Sequence, residues 1–312
     1  MNASHTTDEN SLDRRNFLLH AGSALAAASL VGLAQPSQVR AEEKKNHGIR
    51  KAVKYSMVAG DAPLVEKFKM LKKIGFEGVD MNVPADHDEV NAAQKESGLI
   101  VHGVVAYDHW TKPLSHSDPE VRSVGLESFL GAIRDAHAYG ATSVLLVPAV
   151  VNKEISYDQA YEYSQQEIRK AIPLAEDLGI DILIENVWNS FLLSPLELAQ
   201  YLDEFDTPHV GSYFDIGNVV RYGWPEQWIR ILGPRIKKLD IKEYSRELEN
   251  KQGPYAGFKV KIGDGDCDWP AVMRALDDTG YVGWGTAEVP GGGREELADI
   301  SQRMDKAFST LA

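Results

Sequence analysis

Asp181-Ile-Leu-Ile-Glu185-Asn-Val-Trp188-Asn189 decides how this chain folds. An apolar run of strand type ends abruptly in a carboxylate, an amide, an indole and a second amide. Short apolar runs of this kind are buried parallel strands, so Ile182 to Ile184 belong inside a sheet. Glu185 then sits where the strand leaves the sheet, on the ligand-facing side of an α/β fold. Three later runs end alike: Phe214 leads to Asp215, Leu239 to Asp240, and Ala287 to Glu288. Four carboxylates converging from successive strand ends would repel one another, and a divalent cation is the group that holds such a set together.

Outward from that stretch, short apolar runs alternate with amphipathic ones. Toward the N-terminus, strands are expected over 142–148, 99–105, 78–81 and 52–57, with helices over 156–178, 119–139, 86–97 and 63–74 between them. Asp118 before Pro119 is an N-cap followed by proline in the first turn, and Gly179 is a helix-ending C′ glycine. Toward the C-terminus, Ser194-Pro195 opens a helix to about residue 205. Strands follow over 209–214, 236–241 and 284–287, with helices over 225–232, 268–278 and 295–311. A polar insertion over 244–265 is long enough to form a lid. Eight strand-then-helix units in about 260 residues predict an α/β fold, a single-domain (β/α)8 TIM barrel. A doubly wound sheet would want a glycine-rich turn after the first strand, and Met57-Val-Ala-Gly60-Asp-Ala is a poor one.

The segment before the barrel reads differently. Ser11-Leu-Asp-Arg14-Arg15-Asn-Phe17-Leu18 has the form of a twin-arginine export signal, followed by an apolar segment over 18–33 and a small-x-small pattern at Val39-Arg40-Ala41. The apolar segment is short and rich in Ala, Gly and Ser, which suits a removable leader better than a stable membrane span. The expected organisation is a signal peptide over 1–41, a flexible lead-in over 42–50 and the barrel over 51–312. The mature protein would then be exported to the periplasm. Its single cysteine, Cys267, permits no intrachain disulfide, as for a protein that folds before export. A net charge of −13 excludes the basic footprint that nucleic acid requires.

In a barrel, the ends of strands five to eight form one arc of a single rim, so Glu185, Asp215, Asp240 and Glu288 can point at one centre. Oxygen-only ligation suits Mg²⁺, Mn²⁺ or Ca²⁺ better than zinc. An acid at one strand end is equally well an N-cap for the next helix; four in consecutive units favour the cation. Such a cation would polarise a ketose carbonyl and stabilise an enediolate. Of the two glutamates, Glu185 and Glu288, one would remove the proton beside the carbonyl and the other would return one.

Ile184-Glu185-Asn186, Phe214-Asp215-Ile216-Gly217-Asn218, Lys238-Leu239-Asp240-Ile241-Lys242-Glu243-Tyr244 and Ala287-Glu288 resemble the signature of the xylose isomerase-like sugar (phosphate) isomerase/epimerase superfamily. Gly75-Phe-Glu-Gly78-Val-Asp80 and Gly263-Asp-Gly265-Asp-Cys-Asp-Trp269-Pro270 are similar to its opening and its approach to strand eight. The resemblance spans residues 51–311. In the ketose 3-epimerase branch it implies Glu, Asp, His and Glu as metal ligands, with the two glutamates transferring protons. Glu185, Asp215 and Glu288 match; Asp240 stands where histidine is usual, which shifts the implied metal toward Mn²⁺ or Mg²⁺. Arg246 falls where the branch has a substrate-contacting arginine, and Asn218 where a histidine is common, so substrate recognition departs from that of the free-ketose epimerases.

Further candidates line the expected mouth. Asn186, Trp188 and Asn189 share the loop after Glu185 and either bind sugar or pack on the scaffold. His102, inside the third strand, either faces the mouth or is a satisfied core histidine. His109 and Trp110 sit in a long third loop. Lys242 shares a strand face with Asp240 and either contacts substrate or pairs with a barrel acid such as Asp80. Gly291-Gly-Gly293-Arg294 either cradles an anion or is a turn. The expected function is a metal-dependent isomerase or epimerase acting on a small keto-sugar, with no nucleic acid and no stable membrane association; a homo-oligomer is compatible with the sequence. If the leader operates, an unphosphorylated or oxidised sugar is the expected substrate. The alternative is a metal-dependent lyase cleaving 3-keto-glycosides by β-elimination, and a third reading is sugar binding without turnover. A phosphodiesterase of the endonuclease branch fits worst, because that branch resembles a histidine-rich site.

Overall fold

The computed structural model describes residues 48–82 and 84–310, so the expected export signal, its expected cleavage site and most of the expected lead-in lie outside the described residues. Eight parallel strands close into a barrel in sequence order, β1 pairing with both β2 and β8. The elements are β1 (Ile49–Lys54), α1 (Leu64–Lys73), β2 (Gly78–Met81), α2 (His87–Ser97), β3 (Ile100–Val105), α3 (Pro119–Tyr139), β4 (Ser143–Leu146), α4 (Tyr157–Leu178) and β5 (Asp181–Glu185). They continue as α5 (Pro195–Asp203), β6 (Val210–Asp215), α6 (Ile216–Val220), α7 (Pro225–Leu232), β7 (Ile236–Ile241), α8 (Arg246–Gln252), α9 (Trp269–Asp278), β8 (Gly283–Ala287) and α10 (Arg294–Phe308). The (β/α)8 expectation therefore holds. Among the described residues no helix is long and apolar enough to cross a membrane.

Local signals place the boundaries. The Asp118 side chain accepts from the Glu120 N–H at the start of α3, and Gly179 ends α4 at a φ of 65°. The first strand corrects the sequence reading. It begins at Ile49, inside the expected lead-in, and ends at Lys54, where a 3-10 turn (Tyr55–Met57) replaces the expected strand end. Arg50 and Lys51 gave the segment the look of a polar tail, but Arg50 pairs with Glu77 and Lys51 with Asp305 across neighbouring elements.

The shell between strands and helices is one apolar cluster running round the barrel, from Ile49 and Phe68 to Met304 and Phe308. Inside the barrel the filling is mixed. Leu145, Leu183 and Tyr213 form a small apolar cluster of their own. The rest of the lumen is polar: Asp80, His102, Lys238 and Thr286 are all buried. Side chains alternate along a strand, so Leu183 and Glu185 share the lumen face, as do Tyr213 and Asp215, and Lys238 and Asp240. Gly103 makes room for this layer, since a Cβ there would stand 2.2 Å from Asp80 Oδ1.

Candidate metal centre and active site

Each of the four acids leaves its strand at the C-terminal rim. Glu185 and Asp215 are the last residues of β5 and β6, Asp240 is the penultimate residue of β7, and Glu288 follows β8. One oxygen from each lies within 4.8 Å of the others, so the residues read from the sequence as a metal set converge on one point. Asp215 is also held by its neighbour helix: its Oδ1 accepts from the Asn218 N–H at 2.9 Å. The capping and ligand readings of this acid are therefore compatible, because its second oxygen takes no part in the cap and faces the cluster.

Two lysines reach into the same space. Lys242 Nζ lies 2.8 Å from Asp215 Oδ2 and 2.9 Å from Glu288 Oε2. Lys54 Nζ lies 2.9 Å from Asp240 Oδ1 and 3.3 Å from Asp80 Oδ2. These ammonium groups are close but poorly directed, for Asp215 Oδ2, both Asp240 oxygens and Glu288 Oε2 are shielded from water without a well-formed hydrogen bond. Burial, and then the neighbouring Glu288 and Asp240 charges, push the Glu185 carboxyl well above its usual range. Burial does the same to Asp240 against the pull of Lys54, and raises Asp215. At Glu288 burial is outweighed by Lys242 and Lys54, which hold its carboxyl below the usual range.

The donor set fits a divalent cation. Four carboxylates and two ammonium groups leave two negative charges uncompensated in a shielded site; adding Asp80 and Lys238 beneath them does not change the balance. Orphaned carboxylate oxygens are the ligand type that Mg²⁺ and Mn²⁺ prefer. Among the described residues Glu185 forms no ion pair, and burial, reinforced by the Glu288 and Asp240 charges, raises its carboxyl.

A cavity of about 320 Å³ opens above the cluster, lined by Glu185, Glu288, Lys54, Lys242, His109 and Asn218 among others. Of the residues proposed for substrate, Trp110, Trp188, Asn218 and Lys242 line it. Trp188 donates its indole N–H to the Asn218 carbonyl at 2.9 Å and packs against Tyr244, Tyr255 and Phe258. Lys242 pairs with Asp215 and Glu288, and it is Lys54 that meets Asp80.

Three candidates are placed elsewhere. Asn186 does not line the cavity. It brackets two strand ends, donating to the Asp215 carbonyl at 2.8 Å and accepting from the Asp215 N–H at 2.9 Å. His102 lies deep in the lumen, stacked on Trp284 at 4.3 Å with Nε2 3.1 Å from Thr286 Oγ1. The alternation that turned it inward fixed its face and not its depth. Arg246 donates to the Val220 and Gly223 carbonyls at 2.8 and 2.9 Å, closing the chain after α6 instead of reaching the cavity. The triple glycine is a packing element: the Gly292 N–H donates to the Met57 carbonyl at 3.0 Å, and a Cβ at Gly291 would overlap that carbonyl.

Sequence reasoning missed Lys54, Tyr255 and Phe258. Lys54 had a signal, a lysine closing an apolar strand on the first unit of the barrel. Tyr255 and Phe258 belong to the insertion, which folds down as a wall of the cavity. Glu243 pins it by accepting from the Gly263 and Cys267 N–H groups and the Trp269 indole at 2.8, 3.1 and 2.9 Å.

Residues 68–307 match the family described as xylose isomerase-like TIM barrel. The chain belongs to this family. Among curated relatives, the L-ribulose-5-phosphate 3-epimerase UlaE of Escherichia coli (strain SMS-3-5 / SECEC) is 24% identical over 274 residues, 81% of this chain and 93% of the relative. The inosose dehydratase of Geobacillus thermodenitrificans (strain NG80-2) is 25% identical over 153 residues, 45% of this chain and 51% of the relative. The solved 3-keto-D-glucoside 4-epimerase YcjR from E. coli superposes with a TM-score of 0.69 at 17% identity, covering 83% of this chain and 98% of that one; at that identity the likeness speaks to the fold. The chain is thus similar to enzymes of the sugar isomerase and epimerase kind, and its acidic cluster fits a divalent metal.

Proposed function

We propose that this protein is a divalent-metal-dependent epimerase or isomerase of an unphosphorylated keto-sugar, with Mn²⁺ or Mg²⁺ as the metal. The observation that carries the reading is the convergence of Glu185, Asp215, Asp240 and Glu288 with orphaned oxygens at the floor of a solvent-reached cavity. When bound, the cation would polarise the substrate carbonyl and acidify the adjacent C–H. Glu185 and Glu288 leave the rim at β5 and β8, so their carboxylates approach the cavity from two sides. One removes the proton beside the carbonyl, and the other delivers a proton to the opposite face. Lys242, held between Asp215 and Glu288, orients the Glu288 carboxylate. Trp188 and Phe258 wall off water on the side of the insertion.

Several features support an unphosphorylated substrate. No arginine lines the cavity among the described residues, and both lysines there are engaged by carboxylates. The Gly292 N–H that an anion cradle would use is spent on Met57. The twin-arginine motif points the same way, because sugar phosphates are scarce outside the cytoplasm; export to the periplasm is part of this proposal. β-Elimination from a 3-keto-glycoside begins with the same proton removal but is the less favoured reading, since a relative matched over 81% of this chain is named as an epimerase.

The test is incubation of metal-loaded protein with keto-sugars in D₂O. Deuterium entering at the carbon beside the carbonyl, lost in Glu288→Gln and accompanied by a stereoisomer or an aldose–ketose pair, is the expected result. Binding without exchange would overturn the proposal, and release of a free aglycone would replace it with the lyase.

A further inference from the structure

The four acids occupy one arc of the rim, and the opposite arc offers the substrate a single buried imidazole. His109 sits in the loop after β3, lines the cavity, and is 8% exposed. Its Nδ1 faces the Val147 N–H at 3.2 Å, just beyond β4. A backbone amide can only donate, so Nδ1 must carry the lone pair and the proton of the neutral ring must lie on Nε2. Among the described residues Nε2 has no hydrogen-bond partner, and it is not sealed from solvent. Trp110 stands edge-on to the ring at 5.7 Å and limits its swing. Burial, and then the Lys54 ammonium, push the imidazole down to about 4 against the opposing charges of Glu288 and Asp108, so the ring stays neutral at ordinary pH.

We infer that His109 is a substrate-contacting residue: a neutral imidazole, locked by the Val147 N–H with its Nε2–H aimed into the cavity, that donates a hydrogen bond to a substrate oxygen from the arc facing the carboxylates. A neutral donor suits this place. It stabilises negative charge building on a sugar oxygen when a glutamate takes the neighbouring proton, and it is too weakly basic to compete for that proton. It also selects substrates that offer an acceptor on that side, since a buried donor left unpaired is costly. The identity of the acceptor rests on the function proposed above; the tautomer and its direction do not.

Two substitutions separate the donor from the packing. In His109→Asn the amide oxygen can replace Nδ1 and keep the Val147 N–H bonded, while the Nε2–H is lost. In His109→Gln the amide nitrogen can replace Nε2, while the bond to Val147 is lost. With a keto-sugar turned over by the wild type, His109→Asn is expected to lower kcat about 100-fold with metal content and Tm unchanged. His109→Gln is expected to stay within about tenfold of wild-type kcat with a lower Tm. The reverse ranking, or equal activity in both, would overturn the inference. On the wild type alone, ¹⁵N side-chain NMR is expected to show His109 protonated on Nε2 from about pH 6 to about pH 8. A ring protonated on Nδ1, or one titrating in that range, would overturn it. The NMR result stands whether or not any keto-sugar is turned over, so failure of the proposed activity and failure of this inference are told apart.

Discussion

The lumen of the barrel holds two buried layers of charge, and they are built to opposite rules. In the lower layer Asp80 is surrounded. Its Oδ2 accepts from the Tyr213 hydroxyl at 2.6 Å and faces Lys54 at 3.3 Å, and its Oδ1 faces His102 Nε2 at 3.3 Å. Burial alone would raise this carboxyl, but His102, Lys54, Lys238 and Tyr213 hold it at about 2. In the upper layer Glu185, Asp215 and Asp240 are also buried, and there burial, which Lys54 and Lys242 do not offset, pushes all three up. A buried acid whose charge is answered by the lysines and the hydroxyl around it is scaffold, even with Oδ1 left without a well-formed hydrogen bond. A set of buried acids short of two positive charges is a site shaped for something the chain itself does not supply.

Three predictions follow the contrast downward in size. Asp80→Asn strips the lower layer of its anion and leaves Lys54, Lys238 and Tyr213 without it. A loss of about 3–5 kcal/mol in urea unfolding is expected, with metal stoichiometry unchanged. A neutral effect on stability would show that the lower layer is no more scaffold than the upper one.

Acid should weaken the fold through the buried imidazole that lines the cavity above the upper layer. His109 is held at about 4 in the folded protein against an ordinary 6.5. Between those values the unfolded chain takes up a proton that the folded ring refuses, so stability present near neutral pH is lost as the pH falls. The ceiling is about 3 kcal/mol. His109→Asn should flatten the dependence of Tm on pH in that window, and an unaltered slope would place the effect elsewhere.

The smallest effect is the most diagnostic in sign. Glu185→Gln removes one of the uncompensated charges of the upper layer. In metal-free protein it should raise stability by about 1–2 kcal/mol, although on the proposed mechanism the same change should end turnover. Destabilisation of the metal-free protein would mean that Glu185 already has its partner.

The upper layer was legible in the sequence because its acids close apolar runs, and period-two alternation needs only the run to set the face. Asp215, Asp240 and Glu288 were found by the rule that found Glu185. Depth was not legible. His102 points inward as its position in β3 demands, but only the register of β2, β3 and β8 sets it against Trp284 and below the cavity. Arg246 was placed by its spacing from Asp240, which the helical turn at α8 redirects toward the carbonyls after α6. Lys54 escaped because a first strand over 52–57 places it mid-strand, whereas β1 ends on it, and its partner Asp80 is 26 residues away in sequence. Pairings that close a barrel across its first and last strands leave no local trace.

The central claim is that the four acids of the upper layer together bind one divalent cation. Isothermal titration of Mn²⁺ into metal-free protein tests it most directly, with Asp215→Asn and Asp240→Asn as controls. Binding of one ion per chain, with a rise in Tm on loading and weakened binding in both variants, is the predicted result. Absence of binding, or binding that both variants leave intact, would contradict it.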